Sequence, residues 1–177
     1  MDPSASSPYV TSLEEVFWGG TLLAITMLMH GFGMLAILRL VVQLKVWLVR
    51  LPAFFSGISV LVLASWLILA VHLLEVFAWA GFFYWQGAVN SQSSTPATSS
   101  LCYYLALMDY TTLGCDYNLH VRWRLLEGMI AVAGLLTFAW STGVLLTLAQ
   151  QFQDQQLALL QQRHARHSQP PGGAKSS

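Results

Sequence analysis

Apolar residues run along this chain in long blocks broken by a few charges, and the blocks have membrane-spanning length. A spanning helix needs about 20 mostly apolar residues, because each residue advances 1.5 Å across roughly 30 Å of hydrocarbon. Between Glu15 and Arg39 the run VFWGGTLLAITMLMHGFGMLAIL carries no formal charge, and His30 is its one imidazole. A second uncharged run begins after Arg50 and reaches Glu75. It predicts one long helix over 51–85, with Pro52 in the first turn, where a missing N–H costs little. A third run, GMIAVAGLLTFAWSTGVLLTLAQQFQ, lies between Glu127 and Asp154. The pattern therefore predicts three spanning helices, at 16–44, 51–85 and 125–150.

Composition narrows the class. Of 177 residues, 55% are hydrophobic and 9% charged, and the mean hydropathy is +0.57. Soluble domains carry about a quarter charged residues, so one integral membrane domain with short tails is expected. Net charge is zero, and the isolated basic residues argue against nucleic-acid binding, which needs a clustered basic surface. Residues 1–15 contain Asp2, Glu14 and Glu15 without Lys or Arg. That is unlike a cleavable signal, and 1–15 reads as an extracytoplasmic tail. Arg39, Lys45 and Arg50 flank the first connection, and Arg163, Arg166 and Lys175 lie in the C-terminal tail. Basic residues mark the cytoplasmic side, so the N-terminus is expected outside and the C-terminus inside, with Arg122 and Arg124 as outer exceptions. Residues 151–177 read as a Gln-rich cytoplasmic helical extension followed by a disordered tail.

One segment does not fit three plain helices. Residues 87–100, GAVNSQSSTPATSS, have the composition of an exposed outer loop. LCYYLALMDY (101–110) follows, apolar but too short to span, as a re-entrant or interfacial helix would be. After it come TTLGCDY and the third span. Non-helical backbone at membrane depth is tolerated only where protein buries it or it lines a wet cavity.

In this order of elements the chain resembles the two-transmembrane pore module of potassium channels, over residues 51–150. The family pattern is an aromatic residue on a pore helix, then T-T-V-G-Y-G-D, then an inner helix. Tyr104 matches the aromatic, and Thr111, Thr112, Leu113 and Gly114 match T-T-V-G with Leu for Val. Arg124 falls where the family often has an arginine before its inner helix. The resemblance is closest to bacterial potassium-channel-like proteins, with the helix at 16–44 as an addition. It implies an all-α membrane protein of three spans, with a re-entrant pore helix at 101–110 and a filter at 111–116 between the second and third. It also implies a homotetramer in a bacterial inner membrane, conducting monovalent cations, K+ among them, through rings of backbone carbonyls. The chain departs from the pattern after Gly114. Cys115 replaces the filter tyrosine, and the second filter glycine is absent whether Asp116 is aligned with that glycine or with the family's acid. Potassium selectivity is therefore not implied.

Ionisable residues at membrane depth are costly and functional by default. His72 and Glu75 stand three apart, on one helix face. They read either as hydrogen-bond partners of the pore helix and its loop, the preferred reading, or as part of a metal or proton site. His30 reads as a hydrogen-bonded packing residue. Asp116 is either a member of a cation-concentrating outer ring or a turn residue. Asp109 reads as a brace behind the filter, paired with Arg122 or Arg124, and Glu127 as a partner of those arginines or of the pore loop. Cys102, Cys115, His120 and Asp116 could form a metal site, and the two thiols a disulfide; unpaired cysteines are the simpler reading. Gly128, Gly134, Ser141, Thr142 and Gly143 form a small-residue face suited to packing, with Ser141 and Thr142 as neutral lining of an inner cavity.

Together these readings favour passive conduction without cofactor, resident metal or catalytic residue. Tyr104, Asp109, Arg124, Glu127, His72 and Glu75 would support a filter made by Thr111, Thr112, Leu113, Gly114, Cys115 and Asp116. The alternatives are a non-conducting structural or sensory membrane protein that keeps the fold, and a metal-handling membrane protein using His72, Glu75, Cys115 and His120. No enzyme signature is present.

Overall fold

The computed structural model describes residues 10–48, 53–90 and 97–167. Most of the N-terminal tail, Arg50 and Pro52, the middle of the outer loop and the tail from residue 168 lie outside the described residues. The chain is all-helical there: α1 (Leu13–Leu48), α2 (Ala53–Trp85), α3 (Ser99–Tyr110) and α4 (Leu125–His167), with one 3-10 turn at Val121–Trp123. Three helices, α1, α2 and α4, are long and apolar enough to cross a membrane, and α3 is a 12-residue helix between the second and third. The first helix starts three residues before the expected boundary, and α3 two residues before. The last is continuous through the Gln-rich extension, for 43 residues in all.

Local chemistry sets the helix ends. Ser12 and Glu15 form a capping box at the start of α1: Glu15 N–H donates to Ser12 Oγ (3.1 Å) and Ser12 N–H donates to Glu15 Oε2 (3.2 Å). Thr98 caps α3 by accepting from Leu101 N–H at 3.2 Å. At its other end α3 closes in a Schellman motif. Thr112 N–H reaches Asp109 O at 2.9 Å and Leu113 N–H reaches Met108 O at 3.0 Å. Thr112 takes the left-handed position at φ 62°, unusual for a threonine, and Gly114 follows at φ 68°.

The three long helices alternate in direction. The start of α1 meets the end of α2 through Trp18 and Trp85 and the start of α4 through Glu15 and Leu125. Their shared interior falls into two apolar clusters. One joins Val76, Trp79, Phe83, Leu105, Leu126 and Ile130 around α3. The other joins Met34, Ile37, Val60, Ile68 and Leu148 toward the opposite end. Between them, on every long helix, the buried positions turn polar: Thr26 and His30, His72 and Glu75, Thr137 and Ser141. Trp79 Nε1–H donates to Thr26 Oγ1 at 2.9 Å within this layer. The outward faces are apolar, with Phe32, Trp66 and Phe77 largely exposed, as expected where the solvent is hydrocarbon or another chain.

The return from α2 to α4 is pinned in two places. An isolated antiparallel bridge joins Val89 to Leu119, and His120 N–H donates to Ala88 O at 2.8 Å. Against α4, the backbone of α3 approaches at Gly134. A Cβ there would collide with the carbonyl of Tyr110, whereas one at Gly128 would meet nothing. Of the small-residue face, Gly134 is thus the member that permits close packing. Gly134→Ala is expected to lower stability by about 1–3 kcal/mol, and Gly128→Ala to change it by less than about 0.5 kcal/mol, in thermal unfolding of the detergent-solubilised protein.

Candidate functional site

The polar layer converges on one side chain, Tyr110, the last residue of α3. Its hydroxyl donates to Glu75 Oε2 at 2.5 Å and lies 2.8 Å from His72 Nδ1 and 2.6 Å from Thr137 Oγ1. Glu75 Oε1 is 2.9 Å from His30 Nδ1. Ser141 Oγ lies 3.0 Å from His72 Nε2 and 3.3 Å from His30 Nε2. Five side chains therefore close a ring in the order Glu75, His30, Ser141, His72, Tyr110, drawn from all four helices. His30, Glu75, Tyr110, His72 and Ser141 are each almost wholly buried. At 1.5 Å per residue, His72 stands about 20 Å from the α2 end that receives α3, and His30 about 25 Å from the start of α1.

Such a ring is costly unless every member is satisfied. Five protons complete it. In one arrangement Tyr110 donates to Glu75, His72 Nδ1–H to Tyr110, Ser141 to His72 Nε2, His30 Nε2–H to Ser141, and the last proton is shared between Glu75 and His30 Nδ1. The ring as a whole is then neutral, which an apolar interior requires. Burial and the adjacent Glu75 carboxylate push the Tyr110 phenol up, so it is held in its protonated, donating form.

The structure places the other candidates in a second region, around the segment that follows α3. Thr111 caps α3, its hydroxyl donating to Leu107 O at 2.9 Å. Thr112, Leu113, Gly114 and Asp116 are exposed, Leu113 by 74%. Cys115 is half-buried, with its thiol on Tyr117 O at 3.4 Å. Burial, then Asp109, Asp116 and Glu127, push that thiol up. Both cysteines are free, so the disulfide is not formed. Glu127 accepts from Leu119 N–H at 2.6 Å and so holds the loop rather than an arginine.

Two sequence expectations are corrected here. Asp109 pairs with neither arginine: Arg122 is bound to Glu14, both carboxylate oxygens at 2.7 Å, and Arg124 is exposed. Asp109 Oδ2 is instead buried without a hydrogen-bond partner among the described residues. Burial and the Glu127 charge raise its carboxyl to about 7. The proposed metal set is also not assembled. His72 and Glu75 are joined by His30 within 4.8 Å, while Cys115 and the exposed His120 stand apart in the connection between α3 and α4. Ser141 is a buried member of the ring, and the exposed Thr142 bonds its own helix at Phe138 O.

No spacing or motif used above marks Tyr110, Thr137 or Glu15 as a site residue. Glu15 is buried, and it caps two helices at once, since Oε1 also accepts Leu125 N–H at 3.0 Å. The S-L-E-E capping-box spacing at Ser12 was the available signal for it. Tyr104, matched to the family aromatic, is 45% exposed on α3, and the inward anchor is Tyr110, one and a half turns further on.

Two outcomes follow. Tyr110→Phe strips the hydroxyl from His72, Glu75 and Thr137, and thermal unfolding should show a loss of about 1–3 kcal/mol. Asp109 binds its proton more tightly in the folded chain than at its ordinary value of 3.8. Its contribution is therefore most favourable below about pH 4 and is lost as pH rises toward 7. Stability measured against pH should fall across that window, and the Asp109→Asn protein should lack that part of the slope.

No protein-family model, no curated protein and no solved structure matches the chain.

Proposed function

We propose that the chain is a potassium-channel-like, pore-forming membrane subunit, and that four copies enclose a passive path for monovalent cations. One observation carries the reading. At the end of α3 the amides of Thr112, Leu113 and Gly114 are turned back onto Asp109 O and Met108 O. The carbonyls of Thr111 through Gly114 accept no hydrogen bond among the described residues, on a segment that is largely exposed. A run of backbone carbonyls with amides withdrawn is an electronegative surface suited to replacing a cation's water shell. The C-terminal end of α3 adds its own partial negative charge at the same place.

Depth supports the same reading. Tyr110 bonds residues near the middle of the long helices, so α3 would enter the membrane from one side and stop halfway as a re-entrant pore helix. Asp116 would then stand at the outer mouth and the carbonyls of Thr111 to Gly114 deeper, with Cys115 between. One loop cannot surround an ion, and exposed Leu113, Tyr104, Leu135 and Leu136 offer apolar surface for neighbouring copies or lipid. In this reading the N-terminus faces outward and α4 runs from the outer face into the cytoplasm, in a bacterial inner membrane. The Arg122–Glu14 pair would neutralise an arginine that the charge asymmetry leaves on the outer side.

The test is flux in proteoliposomes of the purified chain. Monovalent cations are expected to cross, and Gly114→Ala, which forces a side chain onto a residue at φ 68°, should lower the flux at least about tenfold without changing the oligomeric state. A tetramer that passes no monovalent cation at all would overturn conduction.

A further inference from the structure

The polar ring has a geometry that hydrogen bonding alone does not require, and it does not depend on the conduction reading. Both imidazoles are oriented alike. Each Nδ1 faces the Glu75–Tyr110 side, His30 at 2.9 Å from Glu75 Oε1, His72 at 2.8 Å from the Tyr110 hydroxyl and 3.6 Å from Glu75 Oε2. Each Nε2 faces the single hydroxyl of Ser141. We propose that His30, His72, Glu75 and Tyr110 form a closed, buried site for one divalent transition-metal ion of the zinc class, with Ser141 as the outer anchor of both imidazoles.

Three features support this assignment. The first is spacing. A tetrahedral ion with bonds of about 2.0–2.1 Å holds its ligand atoms roughly 3.3 Å apart; the neighbouring pairs here lie 2.5 to 3.6 Å apart, and one ligand atom each of His30, His72 and Glu75 lies within 4.8 Å of the others. Movements of well under 1 Å bring the neighbouring pairs to that value, and the widest spacing among the three closes by up to about 1.5 Å. The second is the outer contacts. A metal-bound histidine characteristically donates its other N–H to an oxygen that fixes its orientation, and Ser141 Oγ has two lone pairs, one for each Nε2–H. The third is charge. A divalent ion with the Glu75 carboxylate, the Tyr110 phenolate and two neutral imidazoles sums to zero, as this interior requires. Two nitrogens and two oxygens suit zinc-class ions, not magnesium or calcium, which prefer oxygen alone.

The proton balance is definite. The ion-free ring holds five protons, and the loaded site holds three, on His30 Nε2, His72 Nε2 and Ser141 Oγ. Binding therefore takes up one divalent ion and releases two protons, with no change in net charge. Because all four ligand positions come from protein, the site is structural and leaves no position for a substrate. It would tie α1 and α3 to α2, and an ion would be captured as α3 docks.

The full-length protein, stripped with chelator in detergent and shown to be folded, is titrated with Zn2+ and with Co2+. One ion per chain is expected, with the visible absorption of tetrahedral Co2+ and an apparent affinity rising about a hundredfold per pH unit below neutrality, for two released protons. Ser141→Ala should keep the fold and weaken binding about ten- to a hundredfold, and Glu75→Gln should abolish the Co2+ spectrum. If these variants do not fold, the spectrum and pH slope of the unsubstituted chain decide. A folded chain that binds neither ion, or binds them with no proton release, overturns the proposal and leaves a purely hydrogen-bonded ring.

Discussion

The hydroxyl of Tyr110 is the contact on which the arrangement of this protein depends. It lies at the tip of a 12-residue helix, too short to be stable by itself in water. It is held by groups from α2 and α4, and through Glu75 it is linked to α1. Removing one partner from a buried polar set leaves the others desolvated and unpaired, which costs more than the bond itself contributes. The position of α3 is therefore set from the inside, by polar chemistry, and only completed by apolar packing around it.

The surroundings make that constraint directional. Apolar clusters above and below the polar layer hold the long helices in register, because sliding any one of them by a turn would strand its polar residues in a hydrocarbon environment. Gly134 then admits the backbone of Tyr110 against α4. The cap that follows turns the amides inward and leaves the carbonyls of the next residues on the surface. A polar bond at the bottom of α3 thus determines how the backbone is presented beyond it.

How much of this could be read from the chain differs from residue to residue. The three long helices were legible because hydropathy acts on whole blocks, and the short α3 because ten apolar residues bounded by Ser/Thr-rich and T-T-x-G segments fit nothing longer. The shared face of His72 and Glu75 was legible from their spacing alone. Their partners were not: His30 and Tyr110 lie 45 and 35 positions from Glu75, and which faces meet is decided by packing that one-dimensional spacing does not contain. The same limit assigned Asp109 to an arginine that Glu14 holds instead. Motif position marks Tyr104 as the family aromatic, and only packing marks Tyr110, further along the same helix, as the residue that reaches the polar layer.

The double role of Glu15 bears on how the chain is built during synthesis. Its carboxylate holds the start of its own helix and the start of α4, a partner 110 positions later. His30 likewise waits for Glu75 and then for Ser141, 111 positions on. Of these helices α1 is made before the others, so it carries polar groups whose partners have not yet been made. Long-range closure of this kind slows assembly and makes it cooperative. A chain cut anywhere before α4 would leave a glutamate and a histidine unanswered, a defect of the sort by which unfinished membrane proteins are distinguished from finished ones.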